Sequence, residues 1–231
     1  IQITGPKIIC QLLETTLLNI TGHPTLIATL ARRIKQQVGN RKLVEFGLRR
    51  AQGETAGLNA SKYSWVGGFD GTSNVQAGLE YSIPIVGTHA HSYVMSFTGL
   101  SDVANDLEIQ DNITGKCIRD FKSYVFDING INESELKTNK SELAAFITYA
   151  WTQPENFLAL IDTFDTLESG LENYCFISNA LLKLGYKPKG VRIDSGDLSY
   201  LSIKIKEKFN QMSLIYPEYN AMVIVASNDL D

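Results

Sequence analysis

Residues 190–197 read GVRIDSGD, a short apolar run that ends in a burst of charged and polar side chains. Four more runs have this form, at residues 43–47, 83–86, 157–161 and 222–226. A short apolar run between turn residues is typical of a buried parallel strand. Because the carboxyl ends of parallel strands meet at one rim, we expect the polar bursts to gather there. Arginine, histidine and aspartate at such a rim suit a multiply charged anionic substrate with a metal ion.

Segments with helical spacing separate these runs. We predict helices over residues 61–66, 75–81, 92–97, 141–151, 171–184 and 198–211, after a long N-terminal helical segment that is broken near residues 22–24. Ser61 and Asp197 are expected to cap their helices. Repeated βα units predict an α/β fold with a parallel sheet. We interpret it as part of an α/β barrel. A doubly wound open sheet is the alternative, although no GxGxxG follows the first strand.

Composition limits the class of protein. The 231 residues are 44% hydrophobic and 20% charged, which is typical of a soluble globular protein. The net charge of −4 argues against a nucleic-acid partner, and no apolar run approaches the ~20 residues of a membrane helix. The three cysteines, Cys10, Cys117 and Cys175, are scattered and odd in number, which favours a reducing compartment. We therefore expect a cytoplasmic protein with no membrane partner.

The two ends and the middle of the chain depart from the βα pattern. We predict that residues 1–40 are the end of an N-terminal domain with a helical entry to the barrel, and that residues 41–231 form an incomplete α/β-barrel domain. Residues 99–140 are rich in polar side chains, and we expect a surface insertion there, with one helix between Phe121 and Ile128. The sequence starts without methionine and stops directly after a predicted strand and the polar residues that follow it. We therefore interpret the chain as a segment of a longer protein.

Residues 87–92 read GTHAHS and follow a predicted strand. The glycine lets the backbone turn, and His91 and Ser92 then begin a helix whose N-terminal N–H groups favour an anion. Alternation along a continuing strand places His89 and His91 on one face. A histidine that caps a helix or fills a polar niche is an equal alternative. A zinc pair is disfavoured, because it lacks a third ligand and His23 lies in a distant helical break.

Charged residues also follow the other predicted strands. Arg192 and Asp194 point to one side of a strand, and Asp162 occupies the equivalent place on the preceding strand. A carboxylate beside an arginine suits Mg²⁺ or ribose hydroxyls, and an unpaired one would be costly, so we expect a partner for it. The alternative for Asp162 is a strand-end turn residue. Arg49 and Arg50 are compatible both with an exposed pair and with a phosphate clamp.

Together these motifs resemble the eukaryotic nicotinate phosphoribosyltransferase family. The resemblance rests on residues 11–15, 45–53, 67–70, 87–92 and 190–197 in this order. It implies a type II phosphoribosyltransferase, with an irregular (β/α) barrel and a smaller domain built from both chain ends. The implied reaction joins nicotinate to phosphoribosyl pyrophosphate, with ATP hydrolysis, to give nicotinate mononucleotide and pyrophosphate in the first step of NAD synthesis from nicotinate. Residues 99–140 depart from the family, and nothing is carried over to them.

The resemblance also implies site residues and partners. His91 matches a histidine that ATP phosphorylates transiently. The implied set is His91, Arg49 and Asp194 for catalysis, Thr88, Ser92 and Arg192 for nicotinate, Arg49, Asp162 and Asp194 for phosphoribosyl pyrophosphate and ATP, and Asp162 and Asp194 for Mg²⁺ or Mn²⁺. A homodimer is expected for the full-length protein. The residue chemistry agrees, because arginines and a divalent cation can neutralise a pyrophosphate leaving group, and neutral imidazole can accept a phosphoryl group.

Nicotinamide phosphoribosyltransferases belong to the same family, and charge separates the two activities. The resemblance implies that the nicotinamide enzymes place an aspartate in the loop that here reads Gly71-Thr72-Ser73-Asn74. Such a carboxylate would repel that of nicotinate by several kcal/mol at an effective dielectric constant of ~20. Because Ser73 stands there, we hypothesise nicotinate over nicotinamide.

Two alternatives come from other classes of protein. An aldolase or lyase barrel that works through a Schiff base needs a lysine at a strand exit, and none of the five exits has one. A non-catalytic fragment is the second alternative. The chain has neither the family's N-terminal aromatic residue, which stacks on the pyridine, nor its glycine-rich phosphate loop. An open last strand would also leave an unpaired edge.

Overall fold

The computed structural model describes residues 2–227 and shows a mixed α/β fold, which confirms the predicted class. The chain forms two compact units, Ile1–Gly87 and Thr88–Asp231. The predicted boundary at residue 40 concerns the domains of a longer protein and stays a prediction. None of the helices within residues 2–227 combines the length and the apolar composition that crossing a membrane requires.

In residues 2–87 the first unit contains three α-helices, a 3-10 helix and one parallel pair of strands. Its elements are α1 (Lys7–Val38), β1 (Val44–Glu45), a 3-10 helix (Gly47–Arg50), α2 (Glu54–Gly67), β2 (Gly71–Thr72) and α3 (Val75–Tyr81). β1 and β2 pair with Val44 opposite Gly71. Helices α1 and α2 pack closely at Gly67, where an added Cβ would lie only 2.5 Å from the Cβ of Ala31. Ala31 is correspondingly buried.

Two local predictions in this unit are wrong. Helix α1 runs unbroken through Pro24. A proline removes a single N–H donor, and this helix of 32 residues continues on both sides of it. Ser61 is not a cap, because α2 already begins at Glu54 and the Ser61 hydroxyl donates to the Gly57 carbonyl at 3.1 Å.

The loop of residues 71–74 and the predicted second strand also differ. Gly71 and Thr72 form β2, so this segment is not loop throughout. The expected strand at residues 83–86 is reduced to one parallel bridge between Thr72 and Ile85. Pro84 cannot donate a hydrogen bond, which limits pairing along this run.

The second unit is built on a parallel sheet in the order β5-β6-β7. Its helices and strands are α4 (His91–Met95), β3 (Ile109–Gln110), β4 (Cys117–Ile118), α5 (Phe121–Asn129), α6 (Lys140–Thr152), β5 (Leu158–Leu160), α7 (Leu171–Lys183), β6 (Gly190–Ile193), α8 (Leu198–Met212) and β7 (Val223–Ala226). A π-helix (Thr166–Gly170) precedes α7, and 3-10 turns occupy Leu100–Asp102, Glu133–Glu135, Pro154–Asn156 and Pro217–Ala221. The predicted helices and strands of residues 141–226 lie within two residues of the observed bounds.

Residues 99–140 are not confined to the surface, contrary to the expectation for this segment. They form an antiparallel hairpin of β3 and β4 and the helix α5, which confirms the one expected helix. Leu100, Ile109, Phe121 and Val125 belong to the buried core. The prediction fails because each of several short elements supplies only one or two apolar side chains, so no periodic pattern appears in the sequence.

Candidate active site

The exits of β5 and β6 carry two aspartates in adjacent positions. Leu160 lies opposite Arg192 in the parallel ladder, so Asp162 and Asp194 follow their strands in the same register. Asp162 Oδ2 accepts hydrogen bonds from the Asp194 N–H at 3.0 Å and from the Ser195 hydroxyl at 2.5 Å. The Asp162 side chain is therefore held by the exit of the neighbouring strand.

His91 is the first residue of α4 and faces the other oxygen of Asp162. The distance from His91 Nε2 to Asp162 Oδ1 is 3.1 Å. The carboxylate is 1% exposed, whereas the histidine side chain is 34% exposed and can meet a ligand. Because a carboxylate only accepts, Nε2 of the neutral ring carries the proton, and Nδ1 keeps its lone pair. The pair thus presents a nucleophilic nitrogen that a buried carboxylate orients.

His89 has the opposite arrangement. Its Nε2 accepts a hydrogen bond from the Leu160 N–H at 3.1 Å, so the proton of the neutral ring lies on Nδ1. The rings of Tyr93, Phe146 and Tyr149 surround it, with centroids 4.8 to 5.6 Å away. Burial lowers the pKa of His89 to about 4. The expectation of a histidine in a niche therefore applies to His89, while His91 is the one available for chemistry.

Arg192 lies in β6 and is 9% exposed. Its positive charge contributes to the lowered pKa of His89 and opposes the rise that burial gives the pKa of Tyr149. Asp194 Oδ1 accepts a hydrogen bond from the Ser227 hydroxyl at 2.8 Å, which supplies the partner that we expected for this carboxylate. Asn228 and Asp229, which complete the last polar burst, lie outside the described residues.

Two hydroxyl residues flank the histidines along the chain. Thr88 is half-buried, and its hydroxyl donates to the His89 carbonyl at 3.1 Å. Ser92 is exposed in the first turn of α4. The segment of residues 88–92 therefore has one hydroxyl side chain before His91 and one directly after it in the sequence.

Arg49 belongs to the first unit, in the 3-10 turn Gly47–Arg50, and is exposed. Glu45 at the end of β1 anchors this turn. Its buried carboxylate accepts hydrogen bonds from the Gly47 N–H, from Ser61 Oγ at 2.9 Å and from Thr72 Oγ1 at 2.7 Å. Three neutral donors thus hold the strand exit that presents the arginine.

Sequence reasoning missed three contributors to these strand exits. Ser195 and Ser227 hold the two aspartates, and Glu45 anchors the arginine turn. Their sequence positions were the one indication of this role, because each residue lies in or directly after an apolar run that predicts a strand. Asp197 behaves as predicted and caps α8 by accepting from the Tyr200 N–H at 2.9 Å.

The carboxylates bear on the predicted metal site. Asp162 uses three of its roughly four acceptor positions on His91, Asp194 and Ser195. Within residues 2–227 no three histidine, cysteine or acidic side chains are grouped as ligands for one ion. Asp162 therefore keeps about one acceptor position, whereas the Asp194 carboxylate accepts a hydrogen bond from Ser227, so Asp194 is the better candidate for a metal ligand.

The fold and this site define an α/β protein that presents a histidine–aspartate pair and a buried arginine at the carboxyl rim of a parallel sheet. The family model of the nicotinate phosphoribosyltransferase (NAPRTase) family matches residues 41–231. The chain belongs to this family.

Individual relatives agree with this assignment. Over its whole length the chain is 44% identical to nicotinate phosphoribosyltransferase 1 of Arabidopsis thaliana and 38% identical to the nicotinate phosphoribosyltransferase of Homo sapiens, and it covers 43% and 44% of these proteins. The crystal structure of human nicotinic acid phosphoribosyltransferase matches with a TM-score of 0.85 at 38% identity, over 98% of this chain and 47% of that one. The chain thus spans less than half the length of these relatives.

Proposed function

We propose that this chain is part of a nicotinate phosphoribosyltransferase. The enzyme would convert nicotinate, phosphoribosyl pyrophosphate and ATP into nicotinate mononucleotide, pyrophosphate, ADP and phosphate. The observation that carries the proposal is the hydrogen bond between His91 and the buried Asp162 in a chain of this family. It supports His91 as the phosphoryl acceptor.

The proposed phosphoryl transfer uses the Nδ1 lone pair of His91. Nδ1 attacks the γ-phosphorus of ATP, the bond between phosphorus and the β,γ-bridging oxygen breaks, and ADP leaves. Asp162 accepts a hydrogen bond from the Nε2–H throughout and stabilises the positive charge that the ring acquires. Water later cleaves the phosphohistidine and releases phosphate. The half-exposed imidazole and the buried carboxylate suit these two roles.

The remaining sites are assigned by charge. We propose that Arg192 pairs with the nicotinate carboxylate, with Thr88 and Ser92 as hydroxyl donors, since a buried guanidinium favours an anionic ligand. Arg49 would bind the phosphoribosyl pyrophosphate phosphates, and Asp194 the ribose hydroxyls. Mg²⁺ or Mn²⁺ is proposed to be held mainly by substrate phosphate oxygens, with Asp194 as the protein ligand, an arrangement that is usual for this cation.

We also propose the architecture and setting of the complete protein. The sheet β5-β6-β7 would belong to the irregular barrel of the type II phosphoribosyltransferases. Its three parallel strands, with α7 and α8 between them, are the repeated βα units from which such a barrel is built. A homodimer in the cytosol is proposed for the full-length enzyme, and the three free cysteines favour a reducing compartment.

Nicotinate is favoured over nicotinamide as the substrate. The relatives compared above are named as nicotinate or nicotinic acid phosphoribosyltransferases. Ser73 is half-buried between β2 and α3, and its N–H donates to the Glu45 carbonyl at 2.9 Å. A higher catalytic efficiency with nicotinamide would contradict this assignment.

Labelling with γ-³²P-ATP tests the proposed function. The full-length protein should acquire an acid-labile, base-stable label, and His91→Ala should abolish it. His23→Ala is the matched control, because His23 is exposed on α1 of the other unit and should leave the label unchanged. Label retained by His91→Ala would remove His91 from the mechanism, and a wild-type enzyme without activity on nicotinate would reject the proposed function.

A further inference from the structure

Within residues 2–227 the strand that pairs with β5 is β6, and the segment of residues 88–91 follows the opposite edge of β5 through its two histidine side chains. His89 contacts Leu160 and His91 contacts Asp162, and each pair is 71 residues apart. Two contacts with the same offset mean that the segment and the strand run in parallel. The His89 imidazole meets a backbone N–H of β5, as a backbone carbonyl of a neighbouring strand would.

The hydrogen-bond pattern of β5 explains why His89 is needed at this edge. Ile161 N–H donates to the Arg192 carbonyl on β6 at 3.1 Å. Because alternate residues of a parallel strand bond to opposite sides, the N–H of Leu160 points away from β6. This buried donor would be unsatisfied without an acceptor, and His89 Nε2 supplies one.

We propose that His89 is a positioning residue for His91. Its imidazole replaces a strand's carbonyl acceptor at the edge of β5 and thereby sets the distance between His91 and Asp162. The proposal rests on the proposed function, in which His91 accepts the phosphoryl group.

The surroundings of His89 give it the rigidity that this role requires. Phe146 and Tyr149 come from α6 and Tyr93 from α4, and the nearest ring, Tyr149, meets it edge-on at 75°. His89 is 9% exposed and packs against these three rings, which restricts the orientation of its imidazole. A single contact at His91 would let the segment pivot, whereas two contacts on alternate residues fix both its position and its direction.

The test compares His89→Leu with His89→Gln in the full-length enzyme. Leucine fills the niche without an acceptor, while the glutamine Oε1 can take the place of Nε2. We expect His89→Leu to slow single-turnover phosphoryl transfer from ATP to His91 by about ten- to a hundredfold, since misplacement by about 1 Å has effects of this size. His89→Gln should recover most of that rate, and KM for nicotinate should change little in both variants.

Tyr93→Phe is the matched control. It removes a hydroxyl that donates to the Ala145 carbonyl at 3.3 Å in the same aromatic cluster, but leaves the bond between His89 and Leu160 in place. Its phosphoryl transfer rate should stay within about threefold of the wild-type rate. A His89→Leu enzyme with wild-type transfer, or a His89→Gln enzyme as slow as His89→Leu, would overturn the proposal.

A spectroscopic measurement keeps the test independent of activity and of variant folding. Nitrogen-15 spectra of histidine-labelled wild-type protein should show His89 as the Nδ1–H tautomer and His91 as the Nε2–H tautomer. An Nε2–H tautomer at His89 would exclude the hydrogen bond from the Leu160 N–H and would overturn the proposal. If the wild-type enzyme takes up no label from ATP, the proposed function fails, and this tautomer result still decides whether His89 is an acceptor.

Discussion

Replacing Asp162 by asparagine tests the central contact of the site, and the structure dictates how the new amide must lie. The Asp194 N–H can only donate, and it lies 3.0 Å from Asp162 Oδ2. The amide oxygen of Asp162→Asn must therefore face Asp194, which turns its NH₂ group toward His91 Nε2. That nitrogen then has to accept, so the proton of the neutral ring moves to Nδ1, and the nucleophilic lone pair is lost.

The expected size of the effect follows from the bonds that change. The charge-assisted bond between His91 and Asp162 contributes about 1.5–3 kcal/mol, and breaking the new amide–imidazole bond to recover the reactive tautomer costs about 1 kcal/mol. The sum of about 2.5–4 kcal/mol corresponds to a rate reduction on the order of 10²- to 10³-fold. Single-turnover labelling from γ-³²P-ATP measures this rate directly, and ATP affinity should change far less.

Asp111→Asn is the control for this substitution. Its carboxylate also accepts three hydrogen bonds, from the Ile113 N–H, the Thr114 N–H and the Thr114 hydroxyl, but it faces no histidine. Both variants should unfold within a few degrees of the wild type. An Asp162→Asn enzyme that labels within threefold of the wild-type rate would refute the reasoning, because His91 would then not depend on its carboxylate partner.

Three further predictions concern stability, measured by urea unfolding across pH or at pH 7.5. Burial lowers the pKa of His89 from 6.5 to about 4. The stabilising contribution of the neutral imidazole to the free energy of unfolding is therefore present above pH 6.5 and is lost as the pH falls through 4. The loss amounts to roughly 3 kcal/mol and should be absent in His89→Gln. If the free energy of unfolding of that variant falls as steeply with decreasing pH as that of the wild type, another group causes the acid sensitivity. Burial raises the pKa of Glu142 to about 7 from 4.5, so its contribution is present below pH 4.5 and is lost as the pH rises through 7. Glu142→Gln should remove this loss of roughly 3 kcal/mol and make the protein more stable than the wild type at pH 8, and a less stable variant there would count against it. Gly170→Ala should cost roughly 3 kcal/mol or more, because the added Cβ would lie 1.9 Å from the Ile161 carbonyl oxygen, whereas Gly22→Ala, with nothing within 4 Å, should be neutral or better.

Regular elements with their own burial pattern were predictable from the sequence. The apolar runs at residues 157–161, 190–194 and 222–226 became the three strands of one parallel sheet. The helices between them have bounds within two residues of those predicted. This agreement arises because a buried strand or an amphipathic helix carries its periodicity in consecutive residues.

Elements that depend on distant partners were not predictable. The single bridge at Ile85 depends on pairing with Thr72, which lies outside the apolar run of residues 83–86. The core residues of the segment 99–140 were missed for the same reason, since no single element there has enough apolar side chains to show a period.

The candidate site divides in the same way. The sequence by itself determined that Asp162 and Asp194 follow strands and that two imidazoles stand two residues apart. Only the tertiary structure decided that His89 meets a backbone N–H among aromatic rings while His91 meets a buried carboxylate. The side chain is identical at both positions, and its tautomer, its charge and its reactivity depend on the hydrogen-bond partner and on the surrounding polarity, which are properties of residues 71 positions away in the chain.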